Sequence, residues 1–236
     1  DGFSFESDSL GFPESGKRIT GRNSRGDPVT GYIFRPTTVG PVGTACLVGK
    51  VLSVVQPKIA MMCGIMAGNP KFVAMGDIIG SNSCADWSAG KWLDKGAEGV
   101  DFESDGAVHE TPASVAALVN DFFEDNSGMY NKSVGQRPAN MPRWHFGQTS
   151  SGPSVIASKT MRDIPFSTAR KSLGIDMETF AFYHAIHTNI EPPPLYLSIK
   201  SVCDLGDEEK NDDLHSYCCS VSAMACWSTI LRALSS

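Results

Sequence analysis

The chain has 236 residues, 41% of them hydrophobic and 19% charged, which is enough to bury one large core in a single α/β domain. A formal net charge of -6 without any lysine- or arginine-rich run argues against nucleic acid or an anionic membrane surface as the main partner, and leaves a small molecule. No stretch approaches the roughly 18 consecutive apolar residues of a spanning helix, and no charged-then-apolar leader opens the chain, so a soluble, cytoplasmic protein is expected.

The seven cysteines, Cys46, Cys63, Cys84, Cys203, Cys218, Cys219 and Cys226, are odd in number and contain no C-x-x-C pair. That pattern points to free thiols in a reducing compartment rather than to zinc or a redox couple. The first residue is Asp1, not methionine, so something upstream is expected to have been removed.

Residues 1–28 are rich in Gly, Ser, Asp and Pro and read as an irregular lead-in, and 29–236 as the folded domain. Within the lead-in, Arg25-Gly26-Asp27 is an adhesion tripeptide or, more simply, a turn. Val29 to Phe34 is β-prone. Thr44, Leu47, Val48, Val51, Leu52 and Val55 then recur at helical spacing until Pro57. Lys58 to Cys63 predicts a strand, Gly64 to Pro70 a glycine turn, and Phe72 to Ile79 a second strand carrying Gly76 and Asp77. Strand, helix and strand with glycines at the turn is the grammar of a sheet covered on both faces.

Further on, Ala113 to Glu124 predicts an amphipathic helix with Val115, Leu118, Val119 and Phe122 inward, and Trp144 to Ile156 a short strand ending in Ser-Ser-Gly-Pro-Ser. Ile175 to His187 predicts a helix, and Leu195 to Asp204 an alternating strand that runs into the acidic loop Asp207 to Asp213. Asp212 or Asp213 is expected to cap a last helix bearing Leu214, Tyr217, Val221, Met224, Leu231 and Leu234. An acid such as Asp204, at the carboxyl end of a strand in an open α/β sheet, stands where ligands bind. The glycines do not have dinucleotide-binding or P-loop spacing, so no cofactor is expected. His184 and His187, at i and i+3, lack a third ligand at recognisable spacing, and no metal is expected.

Three ordered blocks carry a resemblance. Gly64 to Gly80 (GIMAGNPKFVAMGDIIG), Gly174 to Tyr183 (GIDMETFAFY) and Ser201 to Asp213 (SVCDLGDEEKNDD) are similar to the signature blocks of the purine nucleoside phosphorylase and uridine phosphorylase superfamily, in particular its methylthioadenosine/S-adenosylhomocysteine nucleosidases. WSAGK at 87–91 and HFGQTSSG at 145–152 resemble further blocks in the same order. The resemblance implies a three-layer α/β/α domain with a twisted mixed central sheet, a homo-oligomer, and cleavage of the N-glycosidic bond of a purine nucleoside or nucleotide.

That chemistry builds positive charge on the sugar and negative charge on the leaving base, so one carboxyl group must give a proton and another hold the sugar hydroxyls. By resemblance Asp204 is the general acid at the purine N7. Glu178 grips the ribose hydroxyls, with Met177 against the sugar. Gly64, Ile65, Ala67 and Gly68 line the sugar and the nucleophile, while Val155, Ile156, Cys203 and Leu214 face the base. Burial behind Val202, Cys203 and Leu205 is expected to keep Asp204 protonated. As isolated residues, Asp204 also reads as a cap and Glu178 as an exposed first-turn glutamate.

The chain departs from the family in two places. The first strand, which supplies an acid or phosphate ligands, is not found, and Pro153 replaces the acid of a Ser-Gly-Asp block. Ile65, Met66 and Ala67 offer a phosphate dianion neither charge nor side-chain donor, which favours water over phosphate as nucleophile. Arg35 is the nearby basic candidate. The alternatives are a non-catalytic nucleoside-binding, storage or sensor protein of the same fold, and a domain of a larger defence protein.

Overall fold

The computed structural model describes residues 2–96, 99–119, 127–208 and 212–235. The chain opens with a three-stranded antiparallel sheet of β1 (Ser4–Ser7), β2 (Ser15–Arg22) and β3 (Pro28–Arg35). The stretch expected to be irregular therefore supplies two strands. Within β2 only Ile19 is buried, so this wet sheet leaves little apolar alternation to read. Arg25 to Asp27 form the β2–β3 turn: Asn23 Oδ1 accepts the amides of Arg25 and Asp27 at 3.0 and 2.8 Å, and Gly26 takes a φ of 84°.

Helix α1 (Pro41–Val54) starts on a proline, which has no N–H to lose in the first turn. Strand β4 (Ile59–Gly68) follows, so the glycines expected in a turn lie within a strand whose pairing continues to Ala67. Strand β5 (Ile78–Asp86) starts where the expected second strand nearly ends. Residues 70–77 instead form turns closed by Phe72 and Val73 donating to Asn69 O and by Asp77 N–H donating to Ala74 O.

A hairpin of β6 (Gly90–Asp94) and β7 (Val100–Ser104), the short β8 (Val108–Glu110), α2 (Ala113–Val119) and α3 (Ser127–Lys132) come next. Val115 and Val119 are buried as expected, while Phe122 lies outside the described residues. Then follow β9 (Trp144–Ser151), α4 (Lys159–Thr168), β10 (Gly174–Asp176), α5 (Thr179–Asn189), β11 (Leu195–Asp204) and α6 (His215–Ala233). The helix expected from Ile175 starts four residues later, because Ile175 and Asp176 pair in parallel with Ser150 and Ser151. Leu214 holds the N-cap position of α6, and the His215 amide donates to Asp212 O.

The central sheet runs β11-β4-β10-β9-β5-β8, and β11 also pairs with β5, so the sheet curls until its fifth strand meets its first. β11 is parallel to β4, from Leu195 opposite Ile59 to Val202 opposite Met66, and antiparallel to β5 at Ile199 opposite Gly80. With partners on both edges, β11 is buried along almost its whole length. Its side chains divide between two helical layers: Leu197 and Ile199 pack with Tyr217, Val221 and Ala225 of α6, and Tyr196 packs with Phe182, Tyr183 and Ile186 of α5. At about 1.5–3 kcal/mol for each fully buried large apolar side chain, these two clusters hold the layers together. The architecture is the expected α/β/α, with a mixed sheet covered on both sides. Among the described residues no helix is long and apolar enough to cross a membrane.

Asp77, 2% exposed, pins the entry to β5. Its carboxylate accepts from the amides of Ala74 at 3.0 Å and Arg143 at 2.8 Å, and from His145 Nε2 at 2.8 Å. Burial pushes the carboxyl up, but His145 and the two amides outweigh it and the net shift is downward. Asp77→Asn is expected to cost about 2 kcal/mol at pH 7, as for hydrogen bonds to a charged group, measured as a lower urea midpoint. A carboxyl with a depressed folded pKa stabilises above its unfolded value of about 3.9 and loses that contribution as pH falls through the folded one. The deficit should therefore shrink on acidification.

Candidate active site

Beyond Val202 the register of β11 against β4 shifts, so that Asp204 stands opposite Ala67. A bulge of this kind bends a strand and re-aims its last side chain. Asp204 is 5% exposed; its Oδ1 accepts the Gly206 amide at 2.8 Å, and the Cys203 thiol donates to Oδ2 at 3.3 Å. Gly206 adopts a φ of 66°, a left-handed conformation that favours glycine. Arg162 of α4 fastens this turn, donating to Leu205 O at 2.7 Å and lying 3.7 Å from Asp207. The sequence reading passed over Arg162, because a lone arginine on an exposed helix carries no signature.

Glu178 lies one residue before α5 and both its oxygens are engaged. Oε1 accepts the Gly40 amide at 3.0 Å, and Oε2 accepts from Lys200 Nζ at 2.8 Å. Gly40 takes a φ of 95°, and a Cβ there would stand 3.6 Å from Met177 Cε, so Met177 and Glu178 both meet the start of α1. Lys200, 3% exposed on β11, also pairs with Asp176 at 2.5 Å. Asp176 in turn accepts from Ser151 Oγ at 2.6 Å, Thr179 Oγ1 at 2.5 Å and the Thr179 amide at 3.1 Å. Burial disfavours the Lys200 ammonium, yet Asp176 and Glu178 prevail and hold its pKa above the ordinary lysine range. Lys200 and Asp176 were missed from sequence, although a lone lysine inside an apolar strand, four residues before Asp204, is the available signal.

Gly64 lies beneath the Lys200 stem, where an added Cβ would sit 3.5 Å from Cε. At Gly68 a Cβ would come within 2.7 Å of Val202 and Val73, so tight packing explains that glycine. Ile65 packs toward the α6 core, and Ala67 lies against the turn after Asp204. Cys203 and Leu214 are buried in the same core.

Val155 and Ile156 line a hollow of about 470 Å³ together with Trp87, Trp92, Phe102 and Met161. Trp87 packs so tightly over Gly152 that a Cβ there would meet the indole at 2.5 Å, and among the described residues its buried Nε1 has no hydrogen-bond partner. Pro153 lies in the wall of this hollow; Asp204, Glu178 and Met177 do not line it. Arg35 is exposed at the end of β3.

His184 Nδ1 meets His109 Nε2 at 3.0 Å, and His187 Nε2 meets the Tyr196 hydroxyl at 2.6 Å. Among the described residues no group of His, Cys, Asp or Glu is arranged to hold a metal ion. In the acidic loop, Asp207 faces Arg162 and Glu208 accepts the Lys159 amide at 3.2 Å, while Glu209 and Lys210 lie outside the described residues.

This architecture is that of the nucleoside phosphorylases and nucleosidases. It is similar to the 5'-methylthioadenosine/S-adenosylhomocysteine nucleosidase of S. pneumoniae bound to a transition-state inhibitor, with 20% identity, a TM-score of 0.69, and 99% of this chain and 91% of that chain covered. The Colwellia psychrerythraea enzyme in complex with adenine gives 16% identity, a TM-score of 0.70 and coverage of 98% and 86%. The Helicobacter pylori enzyme with butyl-thio-DADMe-Immucillin-A gives 15%, 0.71, 97% and 89%. No family model matches the sequence. An uncharacterised protein of Sinorhizobium fredii is 34% identical over 188 residues, and the match covers 78% of this chain but 45% of that protein, so the chain spans under half the length of its curated relative.

Replacing Lys200 by Met leaves two carboxylates facing a buried space without their counter-ion. A loss of about 3–5 kcal/mol is expected, as for other broken buried pairs, whereas Lys200→Arg should retain most of the stability. Because the folded pKa lies above the ~10.4 of an unfolded lysine, the contribution is fully present below that pH and is lost as pH rises through the folded value. Urea midpoints of wild type and Lys200→Met compared at pH 7 and above pH 10 measure both effects.

Proposed function

We propose that the chain cleaves the N-glycosidic bond of purine nucleosides or nucleotides, with Asp204 protonating the leaving base and Glu178 holding the ribose hydroxyls. The observation that carries this reading is the state of Glu178. Its carboxylate is fixed by an ammonium and a backbone amide, and each oxygen still has a lone pair for a sugar hydroxyl. A carboxylate so placed is also positioned to favour the positive charge of an oxocarbenium-like transition state. Asp204 supplies the other half of the chemistry from a buried position on the strand that carries Lys200, beyond the bulge. The apolar hollow beside Val155 and Ile156 offers a surface for a flat heterocycle. Adenine and purine nucleoside analogues are what the similar solved enzymes hold.

Water is favoured over phosphate as nucleophile. The Lys200 charge is already met by Asp176 and Glu178, and Ile65 and Met66 are packed into the cores, so this part of the site offers a dianion no uncommitted cation. A homo-oligomer and a cytoplasmic setting complete the reading. Pro153, in the wall of the hollow, favours a second one: a protein that binds a nucleoside without turning it over, as a sensor or storage member or within a longer defence protein.

Free-base release from adenosine, inosine, methylthioadenosine and ATP, with and without phosphate, tests the proposal. Turnover in phosphate-free buffer is expected, reduced about 10²–10⁴-fold by Asp204→Asn, as for loss of a general acid. Dependence on phosphate would indicate phosphorolysis, binding without release the second reading, and full activity in Asp204→Asn would remove Asp204 from the chemistry.

A further inference from the structure

Cysteines outside the proposed chemistry are brought together across two elements. Cys63 is exposed on β4, between Met61 and Ile65, which both pack against the α6 core. Facing it on α6 is Cys226, 5% exposed, with exposed Cys219 two turns earlier on the same helix. The Cys226 thiol donates to Met62 O at 3.3 Å, which sets its sulfur against the peptide joining Met62 to Cys63. Cys63, alternating with Met61 and Ile65, stands on the β4 face that packs against α6.

We propose that Cys63 and Cys226 form a peroxide-reactive thiol pair, Cys63 being the sulfur that attacks and Cys226 the one that resolves. In the first step the Cys63 thiolate attacks one oxygen of hydrogen peroxide. The S–O bond forms as the O–O bond breaks, leaving a sulfenic acid and a hydroxide that takes up a proton to become water. In the second, Cys226 gives up its proton and its sulfur attacks the sulfenic sulfur; the S–S bond forms, the S–O bond breaks, and the departing hydroxide leaves as water. Two thiols are oxidised to a disulfide and one peroxide is reduced to two waters.

The electrostatics suit this division of labour. The neighbouring Cys226 thiol, together with the Lys200 charge and against the cost of burial, brings the Cys63 thiol down to about 7. Burial instead pushes the Cys226 thiol well up. The thiolate, not the thiol, is the attacking species, and it must be reached from solvent. Cys63 meets both needs, while Cys226 is a sheltered thiol at contact distance.

The full chain treated with limiting hydrogen peroxide, alkylated with iodoacetamide and mapped by peptide mass spectrometry tests the pair. A Cys63–Cys226 bridged peptide is expected. Without peroxide, Cys63 should alkylate about 10-fold faster than exposed Cys46 at pH 7, as follows from a larger thiolate fraction, with a rate that rises through about pH 7. In Cys226→Ser, dimedone should trap a sulfenic acid on Cys63 that the wild type resolves. A Cys63–Cys219 bridge, equal alkylation of Cys46 and Cys63, or dimedone trapping indifferent to Cys226 would overturn the assignment. The wild-type peptide map decides even if a substituted chain fails to fold.

Discussion

The structure depends on an ammonium buried where water cannot reach it. Taking the Lys200 charge out of solvent costs several kcal/mol, and the cost is met because Asp176 and Glu178 approach from the end of β10, two strands away across β4, and from the residue before α5. Those carboxylates are themselves satisfied by Ser151 of β9, Thr179 of α5 and the Gly40 amide before α1. Removing any one partner leaves an unmatched buried charge, so strands and helices distant in sequence are obliged to meet at one place. Apolar packing of α5 and α6 supplies most of the driving force for the layers, but it is indifferent to small slips. The ionic cluster is not, since its distances admit one register.

The same cluster gives the site its chemical character. A glutamate held by two donors is an acceptor in a fixed orientation, and Asp204 ends the strand that bears the lysine. The bulge between Val202 and Asp204 breaks the simple alternation of that strand, and the Gly206 turn with Arg162 holds the result. The residues expected to shape the nucleophile side are largely spoken for by packing: Gly68 against valines and Ile65 against α6.

Much of this was legible in the sequence. The alternating run from Leu195 to Asp204 announced a strand, though not its burial on both faces, and three ordered blocks pointed to the layered architecture. The polar β1–β2 hairpin was not legible, because a sheet exposed on most of its surface needs no apolar alternation. Gly64 to Gly68 read as a turn because glycine is permissive, yet pairing with β11 overrides that tendency. The short β10 was absorbed into the following helix, three residues being too few to show a period. Lys200 and Asp176 escaped notice because their meaning lies in each other: neither is informative until the chain has folded and placed them 2.5 Å apart.

The double pairing of β11 also governs how the molecule comes apart. A strand bonded along both edges and covered on both faces can free its amides to solvent only when the whole sheet opens, so their hydrogen exchange reports global unfolding. The β6–β7 hairpin, two strands paired only with each other, can open by itself at far smaller cost. Backbone protection should thus fall steeply from the centre of the sheet toward the wall of the hollow.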